Sequence, residues 1–170
     1  MANKMKEQYC TTGQFVGYKR HCGPTAMTNL VLSLRADLEA KSVFDEVVAI
    51  GRRHLAYLNV QNIGGTSDGL SGVYLRAVLK RYGLEDAVVH FGGVATEKRL
   101  RHALRSGALC YLQMHLHPKY HNHHVLVYES EWMGFRTADG WQHQPVYLTA
   151  RDLRGATFFT ITPPDTVSRQ

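Results

Sequence analysis

The spacing of the apolar residues changes once along this chain, and the change limits the folds that the chain can adopt. From residue 27 to residue 83, apolar side chains recur every three to four positions, as on one face of a helix. From residue 87 onward, short apolar or alternating segments predominate, interrupted by one helical segment. Helices followed by antiparallel strands are typical of an α+β fold, and 170 residues are enough for one core. We therefore predict a single α+β domain over residues 1–170.

Capping signals and periodicity give the expected elements. The first helix follows Cys22 and carries its apolar face on Met27, Leu30, Val31, Leu34 and Leu38. A second helix is expected from Ser42, with Asp45 as its capping-box partner. A third ends at Gly83, and a fourth begins after Thr96, whose hydroxyl can cap it. The predicted strands cover residues 87–91, 108–114, 123–130, 133–137, 145–148 and 156–162, with one helical turn at 150–153.

Composition excludes several classes of protein. The net charge of +6 permits nucleic-acid binding, but the basic residues fall on the polar sides of the predicted helices and no basic cluster is interleaved with aromatic residues. No nucleic-acid partner is therefore expected. No window approaches about 18 uninterrupted apolar residues and MANKMKEQYC lacks an apolar core, so we expect no membrane span, no signal peptide and a cytoplasmic protein. The three cysteines have no CxxC spacing, which argues against a disulfide framework or a thiolate zinc site.

The stretch YKRHCGPTAMTNLVLSL places Cys22 at the N-terminus of the first helix. The partial positive charge and the unpaired N–H groups at that end favour the thiolate, which is the nucleophilic form of cysteine. Gly23 leaves the approach to the thiol open, and the N–H of Cys22 can stabilise an oxyanion. A buried cysteine that merely begins a core helix would occupy the same position, so the placement alone leaves both interpretations open.

A nucleophilic thiol needs an imidazole base and an acceptor that orients the base. His124 begins the apolar strand HVLVYE, and Asp139 follows the next predicted strand in ADGW. Two antiparallel strands joined by a turn would bring Asp139 next to His124. His123 is the alternative base, and the DG dipeptide of Asp139 is also typical of a simple turn.

CGPTAMTNLV, HVLVYE and DGW, in this order, resemble the papain-like cysteine peptidase superfamily, in particular the small bacterial peptidases of the double-glycine leader-peptidase type. The resemblance implies a papain-like fold, with Cys22 as nucleophile, His124 as general acid/base and Asp139 as the group that orients the imidazole. Trp141 would shield the contact between His124 and Asp139 from water. His124 is preferred to His123 because HVLV matches the family where its strand begins. The implied substrate is a peptide or protein, and no cofactor is implied.

One position departs from the family. A glutamine commonly stands six residues before the cysteine and completes the oxyanion hole, but here that position is Val16. Gln14 and Tyr18 are the candidate donors from the same loop. The loss of one such donor typically costs on the order of a hundredfold to a thousandfold in rate, so weak activity is compatible with this sequence.

Several alternatives remain open at this point. The same triad order serves acyltransferases and transglutaminase-like enzymes, and an inactive papain-like scaffold could act as a binding module. The histidines of HLHPKYHNHH could suggest a metal site, but no acidic residue lies among them, and alternation along a strand would separate His123 from His124. No metal is therefore expected, and a histidine-rich rim of a substrate cleft is preferred. The glycine-rich segment from Gly64 to Gly72 is interpreted as a connector between helices, with a cleft wall as the alternative.

Overall fold

Four α-helices and eight strands make up the part of the chain that the structure, a computed structural model, describes, namely residues 9–60 and 64–164. The helices are α1 (Cys22–Leu34), α2 (Ala40–Arg53), α3 (Ser71–Arg81) and α4 (Glu97–Arg105). The strands are β1 (Tyr57–Leu58), β2 (Gly65–Thr66), β3 (Val88–Val94), β4 (Leu109–His117), β5 (His121–Glu131), β6 (Gly134–Ala138), β7 (Val146–Leu148) and β8 (Thr157–Thr162). The predicted α+β class is confirmed.

Six of the strands form one antiparallel sheet in the order β3-β8-β4-β5-β6-β7. The two hairpins that link β4, β5 and β6 place β5 inside the sheet. Its pairing with β6 stops at Leu126 and Ala138, so the start of β5 extends beyond its neighbour on that side. The short strands β1 and β2 form a separate two-stranded sheet within the described residues, and the sequence did not predict them.

Alternation along the strands divides the core into two layers. On one face of the sheet, Tyr111 and Leu126 pack in the same cluster as the apolar residues of α1, α2 and α3. On the other face, Leu112 and Val125 pack with Leu100 of α4. Helix α1 meets β5 on the first of these faces.

Helix α1 is the centre of the first layer. The sequence predicts one buried stripe that continues to Leu38, but the helix ends at Leu34, and every residue from Gly23 to Leu32 is buried. Two of its buried polar side chains are paired: the hydroxyl of Thr28 donates to the Pro24 carbonyl at 2.9 Å, and the amide of Asn29 bonds both backbone groups of Cys10 at 2.9 and 3.0 Å. A helix that is surrounded in this way needs no polar face.

The capping residues are partly those that the sequence predicts. Helix α2 begins two residues earlier than expected, because the carboxylate of Glu39 accepts the backbone N–H groups of Lys41 and Ser42 at 2.8 and 2.7 Å. The predicted cap of α4 is confirmed, since the hydroxyl of Thr96 accepts the N–H of Arg99 at 3.3 Å. Within the described ranges, no helix has the length and apolar character needed to cross a membrane.

Candidate active site

The N-terminus of α1 brings the sulfur of Cys22 to the start of β5. Three backbone N–H groups lie close enough to this sulfur to lower the pKa of the thiol: those of His124, Gly23 and Cys22 itself. The first of them belongs to the peptide bond that joins His123 to His124. Successive side chains of a strand point to opposite faces, so the two imidazoles leave this peptide bond in opposite directions.

Burial dominates the ionisation of Cys22. It raises the pKa of the thiol, the three N–H groups lower it, and the negative charge of Asp68 raises it again, so that the net shift is upward. The expected help from the helix N-terminus is therefore present but is outweighed, because the charged thiolate loses more solvation than the N–H groups return. In the resting protein Cys22 is a neutral thiol at neutral pH.

His123 is the histidine that lies next to Asp139. Its Nε2 lies 2.6 Å from the backbone carbonyl oxygen of Asp139, and because a carbonyl only accepts, Nε2 carries the proton. In the neutral ring the lone pair then lies on Nδ1. The ring stacks on Tyr120 with centroids 5.5 Å apart and packs against Trp141 at 4.7 Å. Burial lowers the pKa of His123, against the opposing effect of the Asp139 carbonyl, so this imidazole is also neutral at rest.

Asp139 is both a turn residue and a neighbour of the base. Its buried carboxylate accepts the N–H groups of Trp141 and Gln142 at 2.9 and 3.0 Å, and the hydroxyl of Tyr120 at 3.4 Å. The carboxylate thus fixes the turn, while the carbonyl oxygen of the same residue contacts His123. The simple-turn interpretation and the orienting interpretation of the DG dipeptide both describe part of this arrangement.

His124 makes different contacts on the other face of β5. Its Nδ1 accepts the hydroxyl of Tyr111 at 2.7 Å, and its Nε2 lies 3.3 Å from the Asp68 carboxylate. Burial lowers the pKa of His124 to about 3, with smaller contributions from the charges of His123 and His115, so the ring is neutral at pH 7. The contact expected between His124 and Asp139 is therefore not formed. Because side chains alternate along β5, His123 contacts Asp139 instead, and Trp141 also packs on His123.

The two candidate oxyanion donors are directed elsewhere. The side chain of Gln14 is exposed, and its Oε1 accepts the N–H of Thr11 at 2.8 Å. The hydroxyl of Tyr18 lies 3.5 Å from the Asp45 carboxylate of α2. In the described part of the chain, neither residue has a hydrogen bond to Cys22. Val16, at the position of the family's glutamine, is 87% exposed.

A polar network beside Cys22 was not anticipated from the sequence. Asp68 lies in the glycine-rich segment and bridges His124 and His115, at 3.3 and 3.4 Å. The amide of Gln113 donates to the Asp68 carbonyl at 3.2 Å and to the hydroxyl of Ser71 at 2.9 Å. The segment is thus a wall of the site as well as a connector. A usable signal was present in β4, where polar groups at every second position, Tyr111, Gln113 and His115, interrupt an apolar strand.

Among the other histidines of HLHPKYHNHH, His117 stabilises the β4–β5 hairpin. His117 accepts the N–H groups of Lys119 and Tyr120 on Nδ1, at 3.1 and 3.0 Å, and its Nε2 lies 3.2 Å from Asp152. Among residues 9–60 and 64–164, no group of three or more His, Cys, Asp or Glu side chains is arranged to hold a metal ion.

A helix that begins at a cysteine and packs on an antiparallel sheet, with histidines at the start of a strand and an aspartate after the next, is the architecture of the papain-like fold. The peptidase domain of Streptococcus ComA, a bifunctional ABC transporter involved in a quorum sensing pathway, matches the structure with a TM-score of 0.55. The match covers 93% of this chain and 99% of that domain, at 11% sequence identity. No protein-family model and no curated protein sequence matches the chain. The resemblance seen in the sequence is thus confirmed in the fold.

Proposed function

We propose that this protein is a thiol-dependent peptidase in which Cys22 is the nucleophile, His123 the general acid/base and Asp139 the positioning residue. One observation carries the proposal: the N–H of the peptide bond that joins the two histidines lies at the sulfur of Cys22, and one of those two histidines is oriented by Asp139. The likeness to a peptidase domain supports the class of reaction.

The choice of His123 instead of His124 rests on which ring nitrogen is available. Both nitrogens of His124 are engaged, one by Tyr111 and the other by Asp68. The hydrogen bond from His123 to the Asp139 carbonyl uses Nε2, which leaves the basic Nδ1 for the thiol proton. Tyr120 and Trp141 cover the ring and shield its contact with Asp139 from water.

The reaction begins from a neutral thiol and a neutral imidazole. The sulfur of Cys22 attacks the peptide carbonyl carbon while Nδ1 of His123 takes the thiol proton. The developing oxyanion is stabilised by backbone N–H groups at the start of α1. Nδ1 then gives its proton to the leaving amine, and a thioester remains on Cys22. His123 next takes a proton from water, the hydroxide attacks the thioester, and the sulfur leaves and recovers its proton.

The test compares two histidine variants on a defined pool of synthetic peptides, with products identified by mass spectrometry. Cys22→Ser abolishes cleavage. His123→Ala lowers the rate by roughly a hundredfold to ten-thousandfold, the usual contribution of a general base. His124→Gln, which keeps a donor and an acceptor at the neighbouring position, loses less activity than His123→Ala. The reverse order of the two histidine variants would assign the base to His124.

An added amine distinguishes hydrolysis from acyl transfer. With millimolar glycine amide present, a peptidase gives mainly the free carboxylate product, whereas an acyltransferase gives the amide adduct. Absence of cleavage of every peptide, together with Cys22 alkylation that is unchanged by His123→Ala, would contradict both activities and favour a binding module. Circular dichroism of each variant checks that it is folded.

A further inference from the structure

The carboxylate of Asp68 is a charged group at the edge of the proposed active site, and its role as a binding group depends on the proposed peptidase activity. Its side chain is 48% exposed, yet its position is fixed from several sides. One oxygen faces Nε2 of buried His124 at 3.3 Å, and the other faces Nδ1 of His115 at 3.4 Å. The amide of Gln113 contacts both the carbonyl and the carboxylate of Asp68, at 3.2 and 3.3 Å.

The supporting residues of this network are themselves held by hydrogen bonds. Gln113 is buried, donates to Ser71 at 2.9 Å and accepts the hydroxyl of Thr157 at 3.0 Å. Thr157 also lies 3.2 Å from Nε2 of His115. A carboxylate that is oriented by such a second layer of contacts is preorganised for a ligand, because little freedom remains to be lost on binding.

The negative charge of Asp68 has no strong counter-charge in the described chain. Its ion-pair contacts there are to histidines alone, and no lysine or arginine of residues 9–60 or 64–164 reaches it. His124 is neutral at pH 7, because its pKa is about 3. Each carboxylate oxygen can accept more than one hydrogen bond, so the exposed side of the group can still bind a donor.

The same charge opposes the nucleophile. After burial and the three N–H groups, the charge of Asp68 is the remaining influence on Cys22, and it raises the pKa of the thiol. A fixed negative charge beside a thiol that must ionise is unfavourable unless something cationic arrives with the substrate. Binding of a cation would cancel this repulsion at the moment when the sulfur must attack.

We propose that Asp68 is the specificity-determining residue of this site and binds an arginine or lysine side chain of the substrate close to the scissile bond. A guanidinium suits the site best, because its planar donors match the two oxygens of a carboxylate. The cation both positions the peptide and removes the charge that opposes the Cys22 thiolate. Selection of the substrate and activation of the nucleophile are thus coupled through one carboxylate.

The first experiment uses peptide pairs that are identical except for arginine or citrulline, which has nearly the same shape without the charge. The arginine or citrulline is placed in turn at each of the two positions before the scissile bond and at the position after it. At one position the wild-type protein prefers arginine by roughly tenfold to a hundredfold in kcat/KM, as expected for a charge-assisted hydrogen bond. In Asp68→Asn the ratio falls to about one.

The matched control makes the same change at Asp86, an exposed aspartate that precedes the edge strand β3. Asp86→Asn keeps the wild-type ratio of arginine to citrulline. A wild-type ratio near one at all three positions, or a ratio that Asp68→Asn leaves intact, would overturn the proposal while the peptidase activity stands.

A second readout needs no peptidase activity. The rate of iodoacetamide alkylation of Cys22 is measured from about pH 6 to 11, with the labelled residue located by mass spectrometry. Asp68→Asn moves the midpoint to lower pH, and 10 mM arginine amide does the same in the wild type but not in Asp68→Asn. If no peptide is cleaved but this pattern appears, the cation site stands and the peptidase activity fails. A midpoint that neither change moves overturns the cation site.

Discussion

Gly23 packs so closely against Thr66 that a Cβ atom on Gly23 would lie 2.1 Å from the hydroxyl oxygen of Thr66. The first turn of α1 is therefore in direct contact with β2, two residues before Asp68. From the sequence, this glycine was expected to keep the approach to Cys22 open. In the structure it makes room for the wall of the site, and that wall is held against the nucleophile by the contact.

Gly23→Ala is expected to destabilise the protein by about 1–3 kcal/mol, because the added methyl group overpacks a buried contact that includes the Cβ of Thr66 at 2.7 Å. Urea unfolding measures the change. Gly69→Ala is the control, since a Cβ on Gly69 has no atom within 4 Å. Adding Thr66→Ala to Gly23→Ala removes the nearest contact and should recover part of the loss. Equal effects of the two glycine variants would contradict this packing.

Acid should weaken the fold partly through His124. Its pKa is about 3 in the folded protein, lowered mainly by burial, against about 6.5 in an unfolded chain. The unfolded state therefore binds more protons between these values. The stability that neutral His124 contributes is complete above about pH 6.5 and is lost as the pH falls toward 3, at up to about 1.4 kcal/mol per pH unit.

The measurement is the free energy of urea unfolding between about pH 4 and 7, for the wild type and His124→Gln. Glutamine does not titrate, so the pH dependence of the variant should be smaller by about one proton. Identical slopes in His124→Gln and the wild type would show that the imidazole is not buried as a neutral group.

Asn29 is expected to matter for stability and for the turn at Asp139. Its amide bonds both backbone groups of Cys10, and the neighbouring Thr12 donates its N–H to the carbonyl of Gly140 at 2.7 Å. Asn29→Ala removes two hydrogen bonds to backbone groups of buried Cys10, so we expect a loss of at least about 2 kcal/mol.

Asn59→Ala is the control for Asn29→Ala, because the side chain of Asn59 bonds the N–H of Lys19 at an exposed position. This variant should lose less than about 1 kcal/mol. Thermal unfolding of both variants measures the difference, and comparable losses would mean that the segment around Cys10 is not fixed by Asn29.

The order of elements could be predicted because periodicity is local. The helix that begins at Cys22 and the strands from residue 108 onward lie where the apolar periodicity predicted them. The ends of the helices were predicted less accurately, because they depend on tertiary contacts. Leu38 continues the apolar spacing of α1 but lies beyond its end at Leu34, and the cap of α2 comes from Glu39, a residue type that is a less common N-cap.

The histidine pair shows why the site was harder to predict than the fold. Side chains alternate along a strand, so an error of one residue transfers a function to the opposite face. Whether His123 or His124 meets Asp139 depends on where β6 ends and how the following turn is folded, and neither is visible in HVLVYE. Asp68 was missed because its proximity to Cys22 arises from the packing of a loop on β4, across 45 residues of sequence from Gln113.

Because His123 and His124 are adjacent, the site is sensitive to the length of the chain before β5. A single-residue insertion or deletion just before β5 would move one histidine into the place of the other, either beside Tyr111 and Asp68 or beside Asp139. The vacated place would then hold a residue without an imidazole, such as Asn122 or Val125. The length of the hairpin that leads into β5 is therefore tightly constrained.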